Sequence, residues 1–322
     1  MPALEQGRLG VSVNPQLGES AMSWMLRAFQ ANGVGYEEGM RWMGLDRRQA
    51  LGEADVAVLA WALHADADDV RGRMVLLEWR GGGRWVHLAG QRLSRWVAPT
   101  SMLAKVCPAC LRERGFALVV WMTRAAPACC RHGYSLLQQC GACSRPIRWA
   151  RPAVRICQCG RFFKTTEEGR PLEPELNFWL RWVDAVLRGD APAAQDAMGA
   201  LPPLLHDLTL DGAYRLVEAF GLLEAPGDPV RNVRHSSAGL VEVGGVLVRG
   251  LRRLIDLGQA ETIAPDVFDT VHLPVLAELA DEPAAELDGQ RAAWLLDVHR
   301  ANRSPGVRRV GARPRRQMPL FL

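Results

Sequence analysis

No cysteine precedes Cys107 and none follows Cys159, so all eight fall within one stretch of the 322-residue chain. Lysine is nearly missing: Lys105 and Lys164 are the only two among 39 basic residues, and the positive charge is almost entirely guanidinium. No run of about 18 apolar residues occurs, which excludes a helix able to cross a bilayer. The N-terminal Met1-Pro-Ala-Leu-Glu-Gln-Gly-Arg8 lacks the basic and apolar regions of a signal peptide, and a reducing cytoplasm is the expected compartment. Gly81-Gly82-Gly83-Arg84 lacks the spacing and the closing Gly-Lys-Ser/Thr of a phosphate loop, so no ATPase activity is expected. There is no repeat of solenoid type. With 48% hydrophobic residues, the chain has the material for a substantial core spread over two or three domains.

The cysteines that are present come in pairs. Cys107-Pro-Ala-Cys110, Cys129-Cys130-Arg131-His132, Cys140-Gly-Ala-Cys143 and Cys157-Gln-Cys159-Gly160 are four ligand pairs at knuckle spacing. A short gap lets one tight backbone turn aim both ligand atoms at a common point, and Gly141 and Gly160 permit such turns without steric penalty. Zinc takes four soft or borderline ligands and imposes no direction of its own through its d electrons. Two tetrahedral zinc sites per chain are therefore expected. Cys107, Cys110, Cys129 and His132 form one set and Cys140, Cys143, Cys157 and Cys159 the other, each closing over the shortest length of chain. Cys130 is then spare. Cross-braced ligation, or Cys130 in place of Cys129, satisfies the same spacing. The competing use of paired cysteines, a disulfide framework, belongs to small secreted domains. This chain is neither small nor expected outside the cytoplasm.

The formal net charge of +4 conceals an uneven distribution. Between Cys107 and Thr166 ten basic residues face a single acid, Glu113, and from Arg300 onward seven arginines stand without any acid. Thiolates bound to zinc offset only part of the first block. A basic surface on a zinc module, with Trp121 and Trp149 among its arginines, reads as the electrostatic footprint of a polyanion, foremost the DNA phosphate backbone. Arg145, Arg148, Arg151 and Arg155 are the candidate phosphate contacts. An acidic protein surface would suit the same charge.

Around this block the pattern is helical. Ser20 precedes Met22, Met25, Leu26 and Phe29 at helical spacing, and Asn32-Gly33 stops the run. Val56, Leu59, Ala60 and Leu63, then Ala65-Asp66-Ala67-Asp68-Asp69, then Val70, Met74 and Leu77 give the order helix, turn, helix. His64 and the three aspartates are read as a helix cap with acids at its positive end, not as a catalytic cluster. Downstream, Leu176, Trp179, Leu180, Val183 and Leu187 mark one amphipathic helix. Ala213, Leu216, Val217 and Phe220 mark a second, and Leu240, Val243, Leu247, Leu251 and Leu254 a third. Further helix is expected within 265–280 and 285–300. The expected fold is mainly α, in four parts: a helical, helix-turn-helix-like part over 1–100, a two-zinc ribbon or knuckle module over 101–166, a helical domain over 167–302 and a flexible basic tail over 303–322.

Two stretches together resemble the TniQ family of transposition proteins. One is Pro15-Gln-Leu-Gly18-Glu19-Ser20-x-x-Ser23-Trp24-x-x-Arg27. The other is Cys107-Pro-x-Cys110, Trp121, Cys129-x-x-His132-Gly133, Leu136, Cys140-x-x-Cys143 and Cys157-x-Cys159-Gly160. The resemblance covers roughly residues 13 to 165 and rests on the order and spacing of these motifs. It implies a helical protein with embedded zinc-ribbon elements and eight zinc ligands at the matched positions. It also implies a non-catalytic adaptor. Such a protein recognises DNA or a guide-RNA effector complex and recruits an AAA+ regulator that brings the DDE transposase.

A zinc enzyme would need an open coordination position and a nearby base. Eight protein ligands saturate two ions, and Glu113 is the only acid in the region. A stand-alone zinc-containing DNA-binding transcription regulator has the same composition, and the Gly18-Glu19-Ser20-x-x-Ser23-Trp24 element favours the adaptor over it.

Overall fold

In a computed structural model the residues described are 8–45, 51–80, 83–98, 103–164, 172–228, 239–260 and 264–303. The chain opens with four helices: α1 (Ala21–Ala31), α2 (Tyr36–Trp42), α3 (Glu53–Leu63) and α4 (Ala67–Arg71). Ser20 caps α1 by accepting from Ser23 N, and the helix turns Met22, Trp24, Met25, Leu26 and Phe29 into the core. At the start of α4 Asp66 accepts from Asp68 N at 2.7 Å, which gives the aspartates their capping role.

Leu77 departs from the helix expected of it. The second helix of the expected pair was to carry Leu77, but α4 stops after five residues, a little over one turn. Gly72 ends it, and Leu77 lies instead in β1 (Leu76–Arg80), the first of three antiparallel strands with β2 (Gly83–Leu88) and β3 (Gln91–Ser94). Val70, Met74 and Leu77 have helical spacing, yet the run around Leu77 finds hydrogen-bond partners across a hairpin whose register pairs Leu77 with Val86 and Trp79 with Arg84. Val86, Leu88 and Leu93 are then buried. No sheet had been expected.

After the sheet comes the cysteine-rich segment, with one short α-helix, α5 (Pro108–Arg114), and a single 3-10 turn over Val119–Met122. Otherwise it is held by single antiparallel bridges, among them Leu103 to Arg148, Val106 to Leu137 and Ala128 to Ser135. The remaining helices are α6 (Pro174–Arg188), α7 (Ala191–Met198), α8 (Leu210–Gly221), α9 (Leu240–Gln259), α10 (Leu273–Asp281) and α11 (Glu286–Arg303). All three amphipathic stripes read from the sequence fall on α6, α8 and α9 with their apolar residues buried. The expected flexible tail lies outside the described residues, apart from Arg303 at the end of α11.

Helices α8 and α9 pack through glycine. A Cβ built on Gly221 would stand 2.0 Å from Val246 O, and one on Gly250 would stand 2.0 Å from Val217 O, so only hydrogen fits on either side of the crossing. Arg253 of α9 closes the far end of α8 by donating to Phe220 O and Leu223 O, each at 2.7 Å. At the near end of α8, Asp288 of α11 accepts from Thr209 N at 3.0 Å and Thr209 Oγ1 at 2.6 Å. One continuous cluster of buried apolar residues runs from Leu9 to Val298 and includes Val106, Leu111 and Trp149 of the cysteine-rich segment. Among the described residues no helix is long and apolar enough to cross a membrane.

Candidate metal centres

Cys107 is the N-cap of α5, Pro108 supplies its first turn, and Cys110 follows one turn on, so the helix start aims both sulfurs the same way. The other half of the cluster is a knuckle: Cys129 N donates to Tyr134 O at 2.8 Å and Gly133 N to Cys129 O at 2.9 Å. This turn brings Cys129 Sγ within 3.5 Å of Cys110 Sγ. His132 Nδ1 lies 3.5 Å from Cys107 Sγ, 3.2 Å from Cys110 Sγ and 3.6 Å from Cys129 Sγ. Ligand atoms about 2.3 Å from a tetrahedral ion stand about 3.7 Å apart, so the four atoms already have the edge lengths of such a site.

The second group is built the same way from two knuckles. Cys140 N donates to Arg145 O at 3.0 Å and Cys157 N to Arg161 O at 2.9 Å. Cys140 Sγ lies 3.9 Å from Cys159 Sγ, and Cys143 Sγ lies 3.8 Å from Cys157 Sγ. In each group all four ligand atoms lie within 4.8 Å of one another, and either group can hold a metal ion. None of the sulfurs is bonded to another; a disulfide needs about 2.05 Å. Gly160 takes the left-handed conformation expected of it, with φ 78°. Gly141 does not: in its knuckle the left-handed position is Ser144, with φ 55°.

Thiols packed this closely cannot titrate independently. Hydrogen bonds from Cys110 and Cys129 pull Cys107 down to about 3, and the same neighbours hold Cys110 well above an ordinary thiol. In the second group burial and the neighbouring sulfurs push Cys157 up to about 12, while backbone N–H groups help bring Cys140 down to about 7. A cation inside each group would remove this conflict by allowing every thiol to ionise. Cys130 belongs to neither group, and burial raises its thiol to about 12.

A carboxylate completes the first centre. His132 Nε2 meets Glu113 Oε1 at 2.9 Å, so the single acid of the basic block fixes the ring with Nδ1 turned to the sulfurs. Burial opposes protonation of His132, but its contacts to Cys129 and Glu113 outweigh burial and hold it above the ordinary imidazole value. Sequence reasoning had noted Glu113 only as an isolated charge. Its place three residues after Cys110 on a helix was the available clue.

The four candidate arginines separate into three environments. Arg145 and Arg148 are exposed beside the second centre. Arg155 donates through Nε to Leu111 O at 2.8 Å and also to Arg112 O, which clips the second centre onto the C-terminal end of α5. Arg151 is 2% exposed, lies over the rings of Trp149 and Phe163, and donates to Arg148 O at 2.8 Å. Burial pushes its guanidinium down to about 10. Arg151 therefore has no surface to offer a phosphate, and its place among the contact residues is withdrawn. Trp149 attracts it by cation–π contact into the space beneath the knuckles.

The N-terminal signature converges on the same region. Glu19, fully buried, accepts from Ser23 Oγ at 2.8 Å, Gln16 N at 2.9 Å and Arg27 Nη1 at 2.5 Å. Ser23 Oγ in turn accepts from Ala117 N at 2.8 Å. Ser20 N donates to Ala117 O at 3.1 Å and Val119 N to Gly18 O at 2.8 Å, so the start of α1 is stitched to the chain just past α5. Gly18 has φ 72°, and a side chain there would press on Arg188 of α6.

These features define a helical protein with two sulfur-rich centres, the first built into the core and the second beside it, and with a buried carboxylate, Glu19, tying α1 to the chain just past α5. Residues 11–136 match the family model of TniQ, so that stretch of the chain is similar to the TniQ family. The match takes in α1 to α5, the sheet and every ligand of the first centre; it ends before the second. A comparison with curated proteins finds no match.

Proposed function

We propose that the chain is a non-catalytic target-selection adaptor of transposition, carrying zinc in both centres. Three thiolates with one imidazole, and four thiolates, are donor sets that zinc favours for closed structural sites. Neither set leaves room for a substrate, which supports a scaffold in place of an enzyme. Arg145 and Arg148, fixed to the second knuckle pair, grip phosphates of target DNA or of a guide-RNA effector complex. Another face recruits the AAA+ regulator that brings the DDE transposase. The observation that carries the reading is the family match over 11–136, whose signature residues bind directly to the chain beside the first centre.

The test combines a pulldown of the AAA+ regulator by the purified chain, with and without duplex DNA, and a gel-shift titration against salt. Regulator retention and DNA retardation are the expected results. Arg145→Ala with Arg148→Ala should lower the salt slope by about 1.8, at about 0.9 per lost contact. A regulator that is never retained sinks the adaptor reading. An unchanged slope moves the DNA contact elsewhere.

A further inference from the structure

At the open end of the sheet, where it meets α8 and α10, lies a cavity of about 370 Å³. That is within the size range of ligand pockets. Trp79, Trp85 and Trp96 line it together with Arg84, Arg95 and Arg215. Two of the indoles already carry a stacked guanidinium: Arg92 lies 4.0 Å over Trp85 and Arg95 4.3 Å over Trp96. Among the described residues Trp79 has no such cover; it is 74% exposed, on the edge strand β1. Arg84 is its cross-strand partner in the ladder and so stands on the same face of the sheet.

Deeper in, Arg215 is only 1% exposed. Its Nη1 donates to Glu282 O at 2.7 Å and reaches Asp211 Oδ2 at 3.4 Å. Its Nε and Nη2 have no hydrogen-bond partner among the described residues, and Nη2 stands 3.9 Å from Glu278 Oε1, beyond hydrogen-bond range. Ser94, also on the lining, donates its backbone N to Asp211 Oδ1 at 2.6 Å, and its Oγ is buried with no hydrogen-bond partner among the described residues. Buried donors are normally satisfied, so unpaired ones on a pocket wall indicate an absent acceptor. The acids Glu278 and Glu282 line the same space, and Glu278 accepts from Trp96 Nε1.

We propose that this cavity binds a nucleotide unit, its base stacked on Trp79 and its phosphate held by Arg84 and Arg95, with Arg215 and Ser94 satisfying the inner polar groups. The lining matches that chemistry part by part. An open indole takes any base by its π face, and stacking tolerates sequence. Arginines beside it take the phosphate one sugar away. Carboxylates and a hydroxyl suit the donors and acceptors of a base edge, whereas a wholly acidic peptide would meet Glu278 and Glu282 as like charges. The binding unit is an unpaired nucleotide, because a duplex keeps its bases stacked and hidden from the indole. This inference does not rest on the adaptor reading, whose duplex contacts lie on the other module.

The experiment uses the full metal-loaded chain and follows fluorescence anisotropy with a labelled ten-nucleotide thymidine strand, with thymidine monophosphate as competitor and labelled duplex as control. Trp79→Ala should weaken strand binding about tenfold or more, the usual loss for one stacked base. Trp79→Phe should keep most of the affinity, and both variants should bind duplex as the wild type does. Arg84→Ala with Arg95→Ala should flatten the salt dependence by about 0.7 per lost contact. Competition by the monophosphate identifies a free nucleotide as a sufficient ligand, and binding of the strand alone identifies a polymer; both support the pocket. Strand affinity that is the same in wild type and Trp79→Ala overturns it, as does a glutamate-rich peptide that displaces the strand. Trp79 is mostly outside the core, so its removal leaves the fold intact, and circular dichroism verifies this.

Discussion

Glu113 ligates nothing, yet its removal tests the first metal centre most sharply. In Glu113→Ala the Nε2–H of His132 loses its carboxylate at 2.9 Å, and the ring is free to rotate away from the sulfurs. Loss of such an outer partner costs about 10–100-fold in metal affinity. Here the His132 and Glu113 side chains are 17% and 46% exposed, so water takes over part of the bond. The expected loss is therefore about tenfold, or about 1.4 kcal/mol, at the lower end of that range. Competition against a chromogenic zinc chelator reads it, with the four-cysteine centre as an internal control. Glu113→Gln retains an oxygen acceptor and should lose much less. Acidification should release zinc from both centres in every variant, because each thiolate and His132 must regain a proton, so apparent affinity falls as pH falls. Three results refute the reasoning: no change in Glu113→Ala, equal loss at both centres, or a glutamine as damaging as alanine.

Stripping the ions with a chelator should unfold residues 103–164 first, since that segment has one short α-helix, a 3-10 turn and single bridges in place of a sheet; hydrogen exchange there and a count of two zinc per chain check it. Glu19→Ala leaves Arg27, Ser23 and Gln16 N without their acceptor and should cost about 3 kcal/mol, read by denaturant titration. Gly250→Ala drives a methyl into Val217 O and should cost about 3 kcal/mol, whereas Gly245→Ala in the same helix meets nothing within 4 Å and should stabilise by about 0.5–1 kcal/mol. Arg151→Ala should lower stability by about 2 kcal/mol through lost packing on Trp149 and leave the salt slope of DNA binding untouched, the reverse of Arg148→Ala.

What the sequence revealed depended on the range of the interaction that uses each residue. The sulfur pairs were legible because each half-site is local: four residues of chain and one turn determine where two sulfurs point. The stripes of α6, α8 and α9 were legible for the same reason, since helix faces repeat within seven residues or so. Leu77 was misread because its neighbours fit a helix period equally well, and the decision came from Val86 across the hairpin. Arg151 was misread because charge along the chain says nothing of depth. Only the three-dimensional placement of Trp149 and Phe163 takes that guanidinium out of water. The role of Glu113 was hidden because its partner, His132, sits on a knuckle that reaches α5 only after folding.

The position of the first sulfur centre in the core has a consequence for how the two helical halves communicate. On one side, Ser20, Ser23 and Gly18 bind the backbone at Ala117 and Val119. On the other, Trp179 of α6 donates to Ala125 O at 2.9 Å, and the same stretch carries Lys105 Nζ against Ala126 O. Residues 117–126 are thus a shared splint. The splint has little regular structure of its own, and α5 with its two cysteine ligands leads into it, while Cys129 follows it directly. An ion bound in the first centre would therefore hold both ends. A centre that loses its ion releases the splint at both ends, and the N-terminal signature and α6 lose their common anchor together. Damage to the second centre, which meets this frame through Arg155 at the end of α5 and through the Leu103–Arg148 bridge but not at residues 117–126, leaves that anchor in place. The two centres, alike in ligand chemistry, should thus differ in reach: the first governs the whole molecule, and the second governs the surface that bears Arg145 and Arg148.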